Sequence, residues 1–481
     1  MRYNIVLRYV GIVLLLNALF LFISSIISGI NGDQAFLPLL YSSIVVGLFG
    51  AFPLIFVSAS GSIKNKEGLC IVVASWLASC FAGTLPYILW GGEFNFTNAW
   101  FESVSGYTTT GSSILTNIEI LPMGLLFWRA ATHWIGGIGI IIFVLAVVPS
   151  MRISGMVLSH VELSPIARDN FQHNTRKTLR ILLRVYVGLT LLETISLFMC
   201  GMNIFDAITH SFATIATGGF STKNLSIAHY NSVPIEIVII IFMLLSGIHF
   251  GLIFSTIFEG SKKIYKSIVV RYYILAIVTG IVLTTFNLYK DQYKNLFNAL
   301  RYAAFQITSI GTSTGFANAD SSIWPALAQI LVIFFALQCA CAGSTSGGIK
   351  ADRFVMLWKA VIKQLKLLRH PNAVISVRID DKIIKSDILA MGVLYLCVYL
   401  GLVFIATIFL VALGVDMLSS FSGVVATTGN VGPGLGTVGS MSNFSHIPSL
   451  GKWILTGTML LGRLEIYGLV LFMLPQFWKT N

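Results

Sequence analysis

Long apolar runs alternate with short polar segments along the whole chain. The first two runs, residues 5–29 and 36–59, are each long enough to cross a bilayer as a helix, and the turn residues Gly32 and Asp33 join them. They predict an N-terminal hairpin of two transmembrane helices over residues 1–62. From there on, the pattern is a long apolar run, a short and mildly polar stretch, a loop of small residues and a second apolar run.

This second pattern occurs four times, and its small-residue loops resemble one another. Aligned on a shared glycine (Gly111, Gly218, Gly315 and Gly432), the loops recur at intervals of about a hundred residues, which is typical of an internal repeat. We call them filter segments one to four: Thr108-Thr-Thr-Gly-Ser112, Ile215-Ala-Thr-Gly-Gly219, Thr312-Ser-Thr-Gly-Phe316 and Gly429-Asn-Val-Gly-Pro433. The repeats that contain them are predicted at residues 63–177, which include a cytoplasmic connector, 178–267, 268–385 and 386–481.

Each filter segment lies between two predicted spans and therefore at membrane depth. Backbone groups need a partner there because lipid offers no hydrogen bonds, and glycine allows carbonyl groups to turn inward. A dehydrated cation is such a partner, since a ring of carbonyls from four loops can replace its water shell. A single copy would be an ordinary turn, but four copies in the same position favour an ion filter. The residues expected to bind the ion are Thr109, Thr110, Gly111, Ala216, Thr217, Gly218, Ser313, Thr314, Gly315, Asn430, Val431 and Gly432.

A short pore helix is predicted immediately before each filter segment. Three of these helices begin at the capping residues Asn203, Asn295 and Asp416, and the first begins near Phe96. Their C-terminal ends run toward the filter segments, and the negative end of a helix dipole favours cations. Together with the hairpin, these elements predict an all-α membrane protein with four repeats of span, pore helix, filter loop and span around one central pore.

Composition and charge narrow the class of protein. Of the 481 residues, 56 % are hydrophobic and only 10 % are charged, which excludes an ordinary soluble domain. The net charge of +12 comes largely from Lys and Arg in alternate segments between spans, such as residues 350–385. This positive-inside distribution indicates no nucleic-acid partner and places the filter segments toward the outside. The glycine-rich segment Gly136-Gly-Ile-Gly139 follows no strand, so we expect no nucleotide or other cofactor in this chain, and an ion only as substrate.

Small residues interrupt the last span of repeat three. An apolar run over residues 323–341 leads into Cys341-Ala-Gly-Ser-Thr-Ser-Gly-Gly-Ile-Lys350, and a basic amphipathic stretch follows. Glycine and serine weaken a helix, and broken backbone is tolerated where it lines a cavity. We interpret the segment as a re-entrant loop below the filter that blocks or opens the pathway; the alternative is a helix that ends in a turn at the cytoplasmic surface. The candidate gate residues are Gly343, Ser344, Thr345, Ser346, Gly347, Gly348 and Lys350, together with Arg463.

Charged and titratable residues at membrane depth are costly and usually mark a pathway. Arg463, inside the last span, either binds carbonyls of the loop as an electrostatic barrier, or pairs with Glu465 or snorkels. Glu102 and Asp320 lie near the expected outer mouth, where they would concentrate cations or act as solvated caps. For His133, in the span after filter segment one, we expect a hydrogen-bonded packing role rather than a proton relay.

With these features located, the chain resembles the Trk/Ktr/HKT superfamily of potassium transporters, and most closely its TrkH branch. The resemblance covers essentially the whole length, and the N-terminal hairpin is typical of TrkH rather than of the shorter Ktr pore subunits. One departure is Ser346, where another glycine is expected. The most specific segments are Ser105-Gly-Tyr-Thr-Thr-Thr-Gly-Ser112, His210-Ser-Phe-Ala-Thr-Ile-Ala-Thr-Gly-Gly-Phe-Ser-Thr222, Ser313-Thr-Gly-Phe316, Asn430-Val-Gly-Pro-Gly434, Cys341-Ala-Gly-Ser-Thr345 and Gly462-Arg463.

The resemblance implies a fourfold pseudosymmetric pore, a homodimer, and potassium uptake across the bacterial inner membrane. It assigns the gate to residues 343–348 and the gating arginine to Arg463, and it favours potassium because Gly111 is present where sodium-transporting relatives tend to have serine. It also implies a peripheral cytoplasmic TrkA-like subunit that binds NAD or ATP. The basic stretch from Lys359 to Lys385 is its candidate docking face, although the stretch would suit anionic lipid too.

The residues leave other functions open. A symporter that couples potassium to sodium or protons on the same scaffold would show flux that depends steeply on the second ion's gradient. An intramembrane enzyme would need His133, His249 and Asp206 for its chemistry, and no catalytic motif supports it, so we expect none. In a purely structural scaffold, four polar loops at membrane depth would cost stability without a function.

Overall fold

A computed structural model describes residues 2–57, 65–147, 175–289, 291–338, 340–380, 382–384 and 386–466. The N-terminal hairpin consists of helices Tyr3–Asn31 and Phe36–Phe56. Gly32 ends the first helix with a left-handed φ of 65°, a conformation that glycine adopts without a Cβ penalty. Most of the predicted connector after repeat one, residues 148–174, and Lys385 lie outside the described residues.

The four repeats have the predicted order of elements, so the all-α fold is confirmed, while the boundaries between repeats stay predictions. The first spans are Asn65–Trp90, Thr175–Met199, Ile268–Leu288 and Ser386–Ala412. The pore helices are Phe96–Tyr107, Ile204–Ile215, Leu296–Gly311 and Met417–Thr428. The second spans are Met123–Val147, Val233–Ser246 with Phe250–Phe258, Ala326–Leu337 with Ala351–Arg369, and Ser449–Arg463. Shorter helical turns are Ser226–Tyr230, Lys263–Lys266, Ser321–Ile323 and Gly436–Val438.

Every pore helix begins after a side chain that accepts a hydrogen bond from an N–H group of the first turn. This cap satisfies one of the free N–H groups and fixes the residue at which the helix starts. The position of the filter segment at the other end is fixed with it. The caps are Asn95, Asn203, Asn295 and Asp416.

The N-terminal hairpin supports pore helix one directly. Asn17 donates a 2.9 Å hydrogen bond to Ser79 in the first span of repeat one. Its side-chain oxygen accepts a 2.8 Å hydrogen bond from the hydroxyl of Tyr107, the last residue of the pore helix. Asn17 is fully buried, and its amide is satisfied from both sides, so the hairpin is fastened to the end of the helix that precedes filter segment one.

Two second spans are broken, and the sequence predicted only one of them. In repeat three the helix ends at Leu337, and the next helix begins at Ala351. Residues 338 and 340–350 between them form a loop, called the repeat-three loop below. In repeat two the helices Val233–Ser246 and Phe250–Phe258 meet at an angle of 102°. His249 caps the second of these helices, since its Nδ1 accepts a 2.9 Å hydrogen bond from the Gly251 N–H.

Six helices within the described residues are long and apolar enough to cross a membrane, and the bent pair of repeat two raises the number to seven. The helix Ala351–Arg369 starts among buried residues and ends exposed, with Leu368 77 % accessible. An antiparallel hairpin follows, in which Val377–Ile379 pairs with Lys382–Ile384. This small sheet was not predicted, because the sequence of that stretch shows only its basic, amphipathic character.

Candidate functional site

Each filter segment contains the same pair of unusual backbone conformations. One residue with a side chain has a left-handed φ between 50° and 57°, and the second residue after it is a glycine with φ between 80° and 101°. Residues other than glycine seldom adopt such angles, and they cluster where the surrounding structure constrains the backbone for function. The pairs are Thr109 with Gly111, Thr217 with Gly219, Ser313 with Gly315, and Asn430 with Gly432.

This pairing corrects the register predicted for filter segment two. The sequence alignment matched Gly218 with Gly111, whereas Gly219 has the left-handed conformation of Gly111. The two adjacent glycines fit the sequence pattern equally well, and only the fold distinguishes them. In segment two, Thr217, Gly218 and Gly219 therefore correspond to Thr109, Thr110 and Gly111 of segment one. Ala216 lies one position before them.

The four left-handed glycines close a ring. A Cβ atom placed on Gly111 would overlap the backbone carbonyl oxygen of Gly218 in the next repeat. There is no room for a side chain at this position. Glycine, which has none, allows the two backbones to lie against each other. The other glycines repeat this relation, and the last returns to repeat one: Gly219 lies against Thr314, Gly315 against Val431, and Gly432 against Thr110.

Hydrogen bonds between the first and last segments complete the ring. The Ser112 hydroxyl donates to the Gly432 carbonyl at 2.9 Å, and the Asn430 amide donates to the Thr110 hydroxyl at 3.0 Å. An open cavity on one side of the ring is lined by all four left-handed glycines. The charged residues among its lining are Arg129 and Lys223, which pair with the carboxylates of Glu102 and Asp206.

Glu102 belongs to a buried ion pair and not to the outer mouth, which corrects the expectation for this residue. Its carboxylate lies 2.8 Å from Arg129, and both side chains are at most 1 % accessible. Glu102 also accepts hydrogen bonds from the Ser113 hydroxyl and the Ile114 N–H, just after filter segment one. Arg129 donates to the carbonyl of Ser221, just after filter segment two, at 3.1 Å. The pair therefore ties two neighbouring filter segments together.

His133 lies directly behind filter segment two. It is fully buried, its ring centre lies 4.2 Å from that of Phe220, and a Cβ on Gly218 would overlap its imidazole. Within the described residues neither ring nitrogen has a hydrogen-bond partner. The expected packing role is therefore present, but the expected hydrogen bond is not.

The repeat-three loop touches the filter segments from the opposite side of the ring to the open cavity. The Thr345 hydroxyl donates to the carbonyl of Ile215 at 2.9 Å, at the end of pore helix two. The Ser313 hydroxyl, in filter segment three, donates to Ser346 at 3.0 Å and accepts from the Gly347 N–H at 2.9 Å. The loop is thus hydrogen-bonded to filter segment three of its own repeat and to the end of pore helix two.

Arg463 contacts the same loop. It is 2 % accessible, and its Nη1 donates to the Thr345 carbonyl at 2.6 Å, while its Nη2 lies 3.4 Å from the carbonyl of Gly136. Glu465, the alternative partner, instead forms a 2.5 Å ion pair with Arg353. The Arg463 guanidinium is therefore buried against one carbonyl of the loop and one of the second span of repeat one.

The remaining candidate gate residues line the same region. The Lys350 ammonium donates to the Ser346 carbonyl, and Gly343 and Gly348 have left-handed φ angles of 77° and 63°. One cavity is lined by residues of the loop, including Gly343, Ser344, Ser346, Gly347, Gly348 and Lys350, together with Gly462 and Arg463. The structure brings these predicted residues together at one site.

Sequence reasoning missed the part of this site that repeat two supplies. The break in its second span packs on the repeat-three loop: the Cys341 N–H donates to the Gly247 carbonyl at 3.0 Å, and the Phe250 N–H donates to the Gly343 carbonyl at 3.3 Å. A Cβ on Gly343 would overlap the His249 ring. The sequence does contain a signal for this break, namely Gly247 and His249 inside an apolar run.

Known proteins share this fold along its length. The family described as "TrkH: Cation transport protein" matches residues 41–479. The Trk system potassium uptake protein TrkH of Escherichia coli K12 is 35 % identical over 486 residues, which cover 100 % of both chains. TrkI of Halomonas elongata is 33 % identical over 422 residues, covering 87 % of this chain and 85 % of its own. The crystal structure of the potassium transporter TrkH from Vibrio parahaemolyticus matches with a TM-score of 0.90 at 31 % identity and covers 100 % of each chain.

Proposed function

The chain belongs to the TrkH family of cation transport proteins, and we propose on that basis that it carries potassium ions into the cell through the ring of four filter segments. The observation that carries the proposal is the closed ring, in which four glycines bring neighbouring backbones together. Carbonyl oxygens arranged in this way can replace the water shell of an alkali cation. The presence of Gly111 and the names of the relatives support potassium as the ion.

In this proposal the repeat-three loop is the gate and Arg463 its electrostatic barrier. The loop lies directly under filter segments two and three, and a buried guanidinium repels a cation that has passed the filter. Opening requires the loop and the arginine to separate, because Arg463 holds the Thr345 carbonyl. The flux is then passive and follows the electrochemical gradient.

A cytoplasmic TrkA-like subunit that binds NAD or ATP is the proposed source of the opening force. The helix Ala351–Arg369 continues directly from the loop, and its outer part exposes Trp358 and Leu365 beside Lys366 and Arg369. A partner that binds this face would pull on the loop through one continuous helix. Anionic lipid is the competing ligand for the same side chains. We further propose a homodimer in the bacterial inner membrane, with the filter segments facing outward.

Flux into proteoliposomes tests the proposal. We compare potassium and sodium flux for the wild type and Gly111→Ser, with Gly414→Ser as the control. Gly414 also has a left-handed φ, 89°, but nothing lies within 4 Å of a Cβ there. Potassium-selective flux that loses selectivity in Gly111→Ser and not in the control supports the filter; unchanged selectivity in an active Gly111→Ser protein contradicts it.

The same assay separates a channel from a symporter. A flux that follows the potassium gradient alone supports passive permeation. A flux that depends steeply on an imposed sodium or proton gradient would instead support coupled transport. The structure gives the candidate enzyme residues other roles, since His249 caps a helix and Asp206 accepts hydrogen bonds from Thr222 and Tyr230. We expect no catalytic activity.

A further inference from the structure

The side chain of Ser346 forms a definite contact in the buried part of the molecule. The Ser346 hydroxyl lies 3.0 Å from the hydroxyl of Ser313, and the two residues are at most 1 % accessible. Ser346 belongs to the repeat-three loop and Ser313 to filter segment three. Ser346 therefore forms a direct link between the proposed gate and the proposed filter.

Ser313 occupies a sensitive place in its segment. It has the left-handed φ of 57° that precedes Gly315, and so its conformation sets the direction of the carbonyl groups on either side. Its hydroxyl donates to Ser346 and accepts from the Gly347 N–H, so both of its hydrogen bonds are made with the loop. A left-handed serine is strained, and the surrounding contacts must hold it in place.

The equivalent residues of two other segments use different partners. Thr217 donates to the carbonyl of its neighbour Ala216. Asn430 donates to Thr110 in the ring and to the carbonyl of Met459 in the last span. The side chain of Ser313 is therefore held by the repeat-three loop. The side chain of Thr217 is held within its own segment, and that of Asn430 by filter segment one and the last span.

We propose that Ser346 is a positioning residue that couples the repeat-three loop to filter segment three. While the loop is closed, its hydroxyl holds Ser313 in the conformation that the filter requires; when the loop moves, that support is lost. By linkage, potassium bound in the filter stabilises the closed loop to the same extent that the closed loop favours potassium binding. This inference rests on the proposed function, because it assigns a connection between the filter and the gate of that pathway.

A glycine at position 346 would weaken the support of Ser313 in filter segment three and would loosen the repeat-three loop. It leaves the Ser313 hydroxyl without its acceptor in a buried place, which is worse than losing an exposed hydrogen bond, and it gives the loop more backbone freedom. A neutral hydrogen bond of this kind corresponds to a change of about three- to tenfold in the equilibrium between closed and open loop. Ser346→Gly should therefore raise potassium flux by that factor and lower the ratio of potassium to sodium flux.

A double-mutant cycle tests the coupling. We measure potassium flux and the potassium to sodium ratio for Ser346→Gly, Ser313→Ala and the double variant. If the hydroxyls act through each other, the double variant resembles the stronger single variant instead of showing the product of both effects. The control cycle pairs Ser313→Ala with Ser255→Ala, because Ser255 is also buried and its hydroxyl donates to the Leu252 carbonyl inside its own helix; its effects should multiply.

A second measurement does not depend on flux. The thermal unfolding midpoint of the purified protein is compared in potassium and in sodium. The extra stabilisation by potassium should shrink in Ser346→Gly and persist in Ser255→Ala. Multiplying effects in the Ser346 cycle, or an unchanged potassium stabilisation, overturns the inference. If Gly111→Ser leaves selectivity unchanged, the proposed function itself fails; if that variant behaves as expected and only the cycle is multiplicative, the connection alone is wrong.

Discussion

The Arg129 guanidinium lies 2.8 Å from the Glu102 carboxylate, and the two residues are 27 positions apart in the chain. Each of them also holds backbone or hydroxyl groups that follow a filter segment, Glu102 for segment one and Arg129 for segment two. A charge pair in this place fixes the distance between filter segments one and two. Its charges are buried, so removal of one partner leaves the other without compensation.

Glu102→Gln should destabilise the protein and reduce selectivity. Removal of one member of a buried ion pair costs about 3–5 kcal/mol, because an uncompensated charge remains. Thermal unfolding in detergent and the potassium to sodium flux ratio measure the two effects. The control is Glu119→Gln, at an exposed carboxylate. Glutamine keeps an oxygen that can accept from the Asn224 N–H, so we expect a change within about 0.5 kcal/mol. A stable and fully selective Glu102→Gln protein would show that the pair does not support the filter.

The corrected register of segment two predicts different consequences for its two glycines. A Cβ on Gly218 would collide with the His133 side chain. A Cβ on Gly219 would collide with the backbone carbonyl of Thr314, and Gly219 itself has a left-handed φ that disfavours any side chain. His133→Ala should therefore restore flux and selectivity to Gly218→Ala and should not restore them to Gly219→Ala. Flux assays on the two double variants decide the register, and rescue of Gly219→Ala would reverse it.

Arg463→Gln should open the proposed gate without the cytoplasmic subunit. The substitution removes the positive charge beside the loop and the 2.6 Å hydrogen bond to Thr345. Hydrogen bonds of charged groups contribute about 1.5–3 kcal/mol, so basal potassium flux should rise roughly ten- to a hundredfold. Arg369→Gln, at the exposed end of the helix that follows the loop, is the control and should leave basal flux near the wild-type value. Equal flux in Arg463→Gln and wild type would exclude Arg463 as a barrier.

Asp416 predicts a pH dependence at the N-terminal end of pore helix four, outside the membrane-spanning helices. The Ser419 backbone N–H, which donates to its carboxylate at 2.9 Å, is the main reason that the pKa of Asp416 lies below its usual range. Because the folded-state pKa is the lower one, this stabilisation is present above the ordinary Asp pKa of about 3.9 and is lost as the pH falls through the folded-state value.

Asp416→Asn should keep the cap and remove its pH dependence, since asparagine caps the other three pore helices. Asp416→Ala should cost about 0.5–2 kcal/mol at neutral pH. Thermal unfolding from neutral to acid pH compares the three proteins. Parallel curves for wild type and Asp416→Asn would mean that other groups cause the acid sensitivity.

The sequence was sufficient for the features that local signals encode. Apolar runs gave the spans, and Asn203, Asn295 and Asp416 gave the starts of three pore helices, because a cap acts on its own first turn. The register of segment two could not be obtained in this way. Gly218 and Gly219 are adjacent residues of the same type, so the sequence does not distinguish them. The Thr314 carbonyl, which contacts only Gly219 of the two, comes from another repeat.

Long-range partners explain the other errors. Glu102 was assigned to solvent because its partner Arg129 lies in the next span, and no periodicity links the two. The break at Gly247 was missed because one glycine within an apolar run is compatible with a continuous helix. Its function as a support for Gly343 depends on a contact between repeats two and three.

The closing hydrogen bond from Ser112 to Gly432 joins residues that are 320 positions apart. During translation, repeat one is therefore made and inserted long before the last wall of the ring exists. A chain that ends prematurely after repeat three would contain three filter segments with an open side and buried polar groups facing lipid. We therefore expect such products to be degraded by membrane proteases rather than to form stable pores.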